Sequence, residues 1–280
     1  MTRSRLRGIR RGEVFLLDMC TSYTYSSILK VYTVRLTHLE KVDMTSSRKT
    51  AKIAAVFYFI SWLTSIAGLA LYGPILNHST YVFGSVPKSH ILLGAFFEVL
   101  CGFANIGTAL ALYPYVKRQS QSFALGYVVL RTLEAAIIMV GVLPLLALLT
   151  LQQDLPHAVG TAGIQSVMVA MHNLSFIVGP SLICGANTMT LAYVLYRSGL
   201  VARFIPVLGL FGGALVFFSG TGQIFGLFGQ VSTPTVLMAV PVFAWEISLA
   251  SFLFFKGFKP EAEARLNASP AVIGGNLVTV

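Results

Sequence analysis

Six stretches of this chain stay apolar for close to the ~20 residues a helix needs to cross ~30 Å of hydrocarbon. They run over approximately 52–74, 91–115, 122–150, 165–196, 204–228 and 234–255. Each is continuously apolar, without the alternation of a barrel strand, so a closed β-barrel is excluded as the expectation. Composition agrees: 55% of residues are hydrophobic and 11% charged, against about 25% charged in an ordinary soluble domain. The predicted fold is all-α, a polytopic membrane bundle of six transmembrane helices. The third and fourth stretches exceed what a span needs and are expected to tilt, kink or project past the lipid.

The net charge of +10 would point to nucleic acid in a soluble protein. Sorted by loop, it reads differently. Arg48, Lys49, Lys52, Lys117, Arg118, Arg197, Arg203, Lys256, Lys259 and Arg265 flank one set of span ends, and Lys88 alone flanks the other. That bias of ten against one predicts both termini in the cytoplasm. It makes membrane lipid the expected partner and removes the reason to invoke nucleic acid. The three cysteines, Cys20, Cys101 and Cys184, show no disulfide or zinc spacing. His78, His90 and His157 show no ligand spacing either. No metal and no cofactor is implied.

Residues 1–43 form a basic arm with eight basic and four acidic residues, and its short apolar stretch, broken by Asp18, does not read as a signal peptide. Two readings stand: a cytoplasmic arm that lies on anionic lipid, or an over-extended start with Met44 as the initiator, since "MTSSRKTAKIAAVFYFI" leads directly into a span. The membrane domain is then 44–260. The polar stretch 261–280, with its Pro and Gly, is expected to be disordered.

Ionisable residues inside spans cost ~2.5–3.5 kcal/mol each even on insertion scales and default to functional hypotheses. This chain has Glu98, Arg131, Glu134, His172 and Glu246 within spans. In the second span Gly94, Glu98, Cys101, Asn105 and Thr108 recur at steps of three and four, which places them on one small, polar face, with Phe96, Leu100 and Phe103 opposite. In the fourth, His172, Ser175 and Gly179 share a face before Pro180, with Asn187 two turns beyond. The Gly-Pro pair is expected to kink the helix and free a carbonyl. Glu98 and His172 fall at one depth, and a carboxylate with an imidazole can hold a proton, a metal or a cationic group. Arg131 and Glu134, three residues apart, can touch, with Glu246 the further acid near that depth. Asn105, Asn187 and these five ionisable groups are the candidate ligand- or proton-binding residues. The competing view is that buried polar groups only fasten membrane helices, at ~0.6 kcal/mol per interaction. The pairs Gly209–Gly213 and Gly222–Gly226 read as close-packing motifs rather than nucleotide loops. No nucleophile elbow, HExxH helix or P-loop occurs.

Several segments, "SRKTAKIAAVFYFI", "LYGPIL", "ANIGTALALYP", "ALGYVVLRTLEAAIIMVG", "GPSLICGANTMTLAYVLYRSGLVARFIPVLGLFGG" and "WEISLASFLFFKGFKP", occur in an order that resembles the bacterial membrane proteins of domain-of-unknown-function family 4386. The resemblance runs from about residue 47 to 260. It implies six spans, a bacterial inner membrane and a start at Met44, and it supplies no reaction. The functional expectation is a protein that binds or transports a small solute, proton or lipid through an interior polar track. An intramembrane enzyme, with Glu98 and His172 as acid and base on a lipid-borne substrate, ranks second. A purely structural or regulatory membrane protein is the third reading.

Overall fold

The structure, a computed structural model, describes residues 47–76, 87–154, 161–230 and 232–268. The basic arm, Met44, His78, His157 and the chain beyond 268 lie outside the described residues. Among the described residues, seven helices follow in order. They are α1 (Ser47–Leu76), α2 (Lys88–Gln119), α3 (Gln121–Asp154), α4 (161–198), α5 (Phe204–Ile224), α6 (Thr233–Phe255) and α7 (Pro260–Ala268). The first six are long and apolar enough to cross a membrane. The chain is therefore a multi-pass membrane protein.

Small and polar side chains line the buried faces of α1 and α2, and bulky apolar ones face outward. On α1 the buried face is Thr50, Ala51, Ala54, Ala55, Tyr58, Ser61 and Thr64, while Ile53, Val56, Ile60 and Leu63 are exposed. On α2 the predicted stripe of Gly94, Glu98, Cys101, Asn105 and Thr108 is buried, and Phe96 and Phe103 are exposed. Lipid is as apolar as leucine, so bulky side chains gain nothing by leaving it; small residues inside let the backbones approach and pack. Gly213 of α5 shows the limit of that approach, since a Cβ there would meet the Gly185 carbonyl oxygen of α4 at 2.9 Å. Gly209 likewise admits the Trp245 ring of α6. The Gly209–Gly213 motif thus packs as predicted. The Gly222–Gly226 motif does not, because α5 ends at Ile224 and Gly226 sits in the following turn at φ 72.

Connections at the basic end are short. A single residue, Ser120, separates α2 from α3, and α4 stops at Gly199 with φ 68, the left-handed cap glycine tolerates best. Within α4 the expected break at Gly179–Pro180 takes another form. Ile177–Ile183 widens into a π-helix, with the Cys184 N–H reaching the Gly179 carbonyl five residues back. The wider turn accommodates the proline without interrupting the helix.

The expectation of disorder from Glu261 is corrected for its first residues. Pro260–Ala268 is helical, with Ala262 and Leu266 buried in the main core. Phe258 stacks on Tyr115 at 4.2 Å, and Arg265 donates to the Ser198 carbonyl at 2.8 Å. The alternation of apolar and polar residues here was too short to outweigh its polar composition. Docked against α2, α7 closes the basic end of the bundle.

Candidate functional site

Two buried polar layers lie in the bundle, about 10 Å apart along the helices, the rise of the seven residues from Glu98 to Asn105 or from Glu134 to Gly141.

The layer nearer the basic end is built on Arg131, 2% exposed. Its guanidinium donates to Glu134 at 3.1 and 3.4 Å, pairs with Glu246 of α6 at 3.5 Å and reaches Thr108 Oγ1 of α2 at 3.4 Å. It also lies 5.7 Å from the ring centroid of Tyr58 on α1. Asn187 of α4 donates its side-chain amide to Glu134. Helix register and chain direction together allow that bond. α3 and α4 run oppositely, side chains tilt toward their own helix N-terminus, and so these two lean toward each other. Tyr127, one turn before Arg131, brings its hydroxyl to 3.5 Å from Thr108 Oγ1 and 3.3 Å from the Tyr58 hydroxyl. Side chains of four spans meet at this one guanidinium, and α4 joins them through the bond from Asn187 to Glu134. Two carboxylates face it, and the Glu246 side chain, 19% exposed, is the less enclosed of the two.

The second layer holds Glu98 and His172, 6% and 1% exposed. His172 Nε2 faces Glu98 Oε1 at 3.7 Å, while Nδ1 sits 2.9 Å from the Gly141 carbonyl oxygen of α3. A carbonyl only accepts, so Nδ1 carries the proton and Nε2 turns toward the carboxyl. Gly141 makes this approach possible, because a Cβ there would overlap Ser175 Oγ. Among the described residues, the buried Glu98 Oε2 has no hydrogen-bond partner. Ile91, Leu145 and Leu149 form a small apolar cluster one to two turns above Glu98 and Gly141, away from the basic end.

Polar groups connect the layers. Cys101 Sγ lies 3.6 Å from Ser61 Oγ, Ser61 donates to Asn105 Oδ1 at 2.6 Å, and Thr108 Oγ1 donates to the Asn105 carbonyl at 2.7 Å. All seven predicted candidates are therefore inside the bundle. Glu98 joins His172. Arg131 joins Glu134, Glu246 and Asn187. Asn105 stands between the layers. Tyr58, Tyr127, Ser61 and the Gly141 carbonyl were missed. Tyr127 lies four residues before Arg131, and Tyr58 continues the alanine stripe of α1, so helical spacing held a signal for both.

Fold and site together define a six-span membrane protein with ionisable groups enclosed between its helices. The chain belongs to the family described as "Domain of unknown function (DUF4386)", whose sequence pattern matches residues 53–257. Comparison with curated proteins and with solved structures returned no match.

Proposed function

We propose that the protein binds a small cationic solute or a proton at the Glu98–His172 layer and transports it along the interior polar track. The observation that carries this reading is Glu98, a carboxyl enclosed among apolar helices with one oxygen lacking any hydrogen-bond donor among the described residues. Leaving such an atom unsatisfied costs ~1–3 kcal/mol or more, which a bound proton or cation would offset. The Arg131 layer supports a second, structural role, since its guanidinium ties together side chains of different helices. The gathering of basic residues at one end supports an orientation with that end in the cytoplasm. The resemblance to bacterial membrane proteins supports an inner-membrane location.

The test is flux through purified protein in liposomes carrying an interior pH dye, repeated with gradients of sodium, potassium and a small organic ammonium ion. Dissipation of at least one gradient faster than in empty liposomes is expected. Rates equal to those of empty liposomes for every gradient would overturn the transport reading.

A further inference from the structure

We infer that Glu98 and His172 act as one unit that holds a single exchangeable proton between the Glu98 carboxyl and His172 Nε2. The inference rests on the proposed binding layer and names its ligand. The Gly141 carbonyl fixes the tautomer, because Nδ1 must donate to it at 2.9 Å. That leaves the second nitrogen opposed to a carboxyl oxygen at 3.7 Å. With Glu98 ionised and the imidazole neutral, two lone pairs face one another between buried side chains. One added proton removes the conflict, whether it sits on oxygen or on nitrogen.

Other occupants fit less well. A bridging water forms two bonds of about 2.8 Å and holds its partners about 4.5 Å or more apart. Zinc sites use three or four protein ligands, and among the described residues no group of three or more His, Cys, Asp or Glu is gathered. Around the pair, among the described residues, Gly68 of α1 packs against the Glu98 side chain, Ser61 of α1 bonds toward Cys101 and Asn105, Thr64 of α1 donates to its own helix backbone, and Ser175 of α4 donates to the His172 carbonyl at 2.7 Å. Uptake of one proton from water takes the pair from a charge of −1 to 0, and release reverses it. Only an O–H or N–H bond forms or breaks. Ile91, Leu145 and Leu149 lie between the pair and the end opposite the basic rim, and the polar groups from Cys101 to Thr108 lead toward the other end.

The test is nitrogen NMR of 15N-histidine-labelled protein in lipid nanodiscs, with infrared difference spectra of the carboxyl stretch recorded across the same pH range. His172→Gln and Glu98→Gln assign the two signals. The expected result is a protonated Nδ1 throughout, and a single one-proton step at which the Nε2 and Glu98 signals change together. A deprotonated Nδ1, two separate steps, or a step abolished by stoichiometric zinc would each overturn the inference. A single shared step in protein that shows no flux would uphold the proton site and refute transport. Flux of another cation without the shared step would do the reverse. Should Glu98→Gln fail to fold, 13C-glutamate labelling of the wild-type chain reads the same step.

Discussion

Removing the guanidinium of Arg131 should destabilise the bundle by an amount that depends on pH. In Arg131→Met the methionine fills the stem volume, but Glu134 and Glu246 lose the cation that they face at 3.1 and 3.5 Å. The simplest relief is for a carboxylate to take a proton from solution. From a reference near pH 4.3 and about 1.36 kcal/mol per pH unit, that costs about 3.7 kcal/mol per carboxyl at pH 7, within the ~3–5 kcal/mol seen when one partner of a buried pair is removed. At pH 5 the same cost is about 1 kcal/mol, so the defect should shrink as the solution is acidified. The triple variant Arg131→Met, Glu134→Gln, Glu246→Gln carries no charge to strand. It loses the hydrogen bonds to Glu134 and Thr108, at ~0.6 kcal/mol each, and should recover to within ~2 kcal/mol of wild type. Equilibrium unfolding in mixed detergent micelles at pH 5 and pH 7 measures both effects. Wild-type stability of Arg131→Met at pH 7, or a defect independent of pH, would refute the reasoning, because the carboxylates would then be solvated rather than held by the arginine.

Gly141→Ala should drive Ser175 and His172 away from α3, costing ~1–3 kcal/mol as overpacking and lowering flux, whereas Gly126→Ala, with no atom within 4 Å of the added methyl, should be silent in both assays. Phe258→Ala should cost about 3 kcal/mol by vacating its stack on Tyr115 and release α7 to proteolysis; unaltered cleavage of α7 would show that it does not depend on that stack. Arg118→Ala should cost under ~1 kcal/mol, since its partner Glu263 lies 3.8 Å away and the two side chains are 34% and 22% exposed. Reporter fusions after Arg118, Gly199 and Lys259 should register cytoplasm, and one reversed assignment would break the orientation.

Much of the architecture could be read from residue order because lipid imposes a length and a polarity on every span. The six helices fall on the six apolar stretches, with ends displaced by a few residues where the helices of α2 and α3 run on into polar rim residues such as Lys117 and Gln121. The stripe on α2 was legible because Glu98, Cys101, Asn105 and Thr108 differ in kind from the phenylalanines behind them. Other contacts were not. Nothing in the sequence tells that Asn187 meets Glu134, since that depends on the register of two antiparallel helices. The π turn at Ile177–Ile183 also escaped, because Gly179–Pro180 is compatible with a kink or a wider turn, and packing against α3 and α5 decides. The Gly141 carbonyl was invisible for a different reason: a backbone acceptor carries no residue type.

Stability and flux measured on the same purified Glu98→Gln protein separate a binding site from mere helix fastening. Glutamine keeps the size of Glu98 and removes its ionisation, and Glu98 Oε2 has no hydrogen-bond partner among the described residues. A binding role therefore predicts a melting temperature equal to or above that of wild type, as expected where function is held at some cost to stability, together with flux reduced to that of empty liposomes. A lowered melting temperature with wild-type flux per folded molecule would contradict it and make Glu98 a strut between α2 and α4.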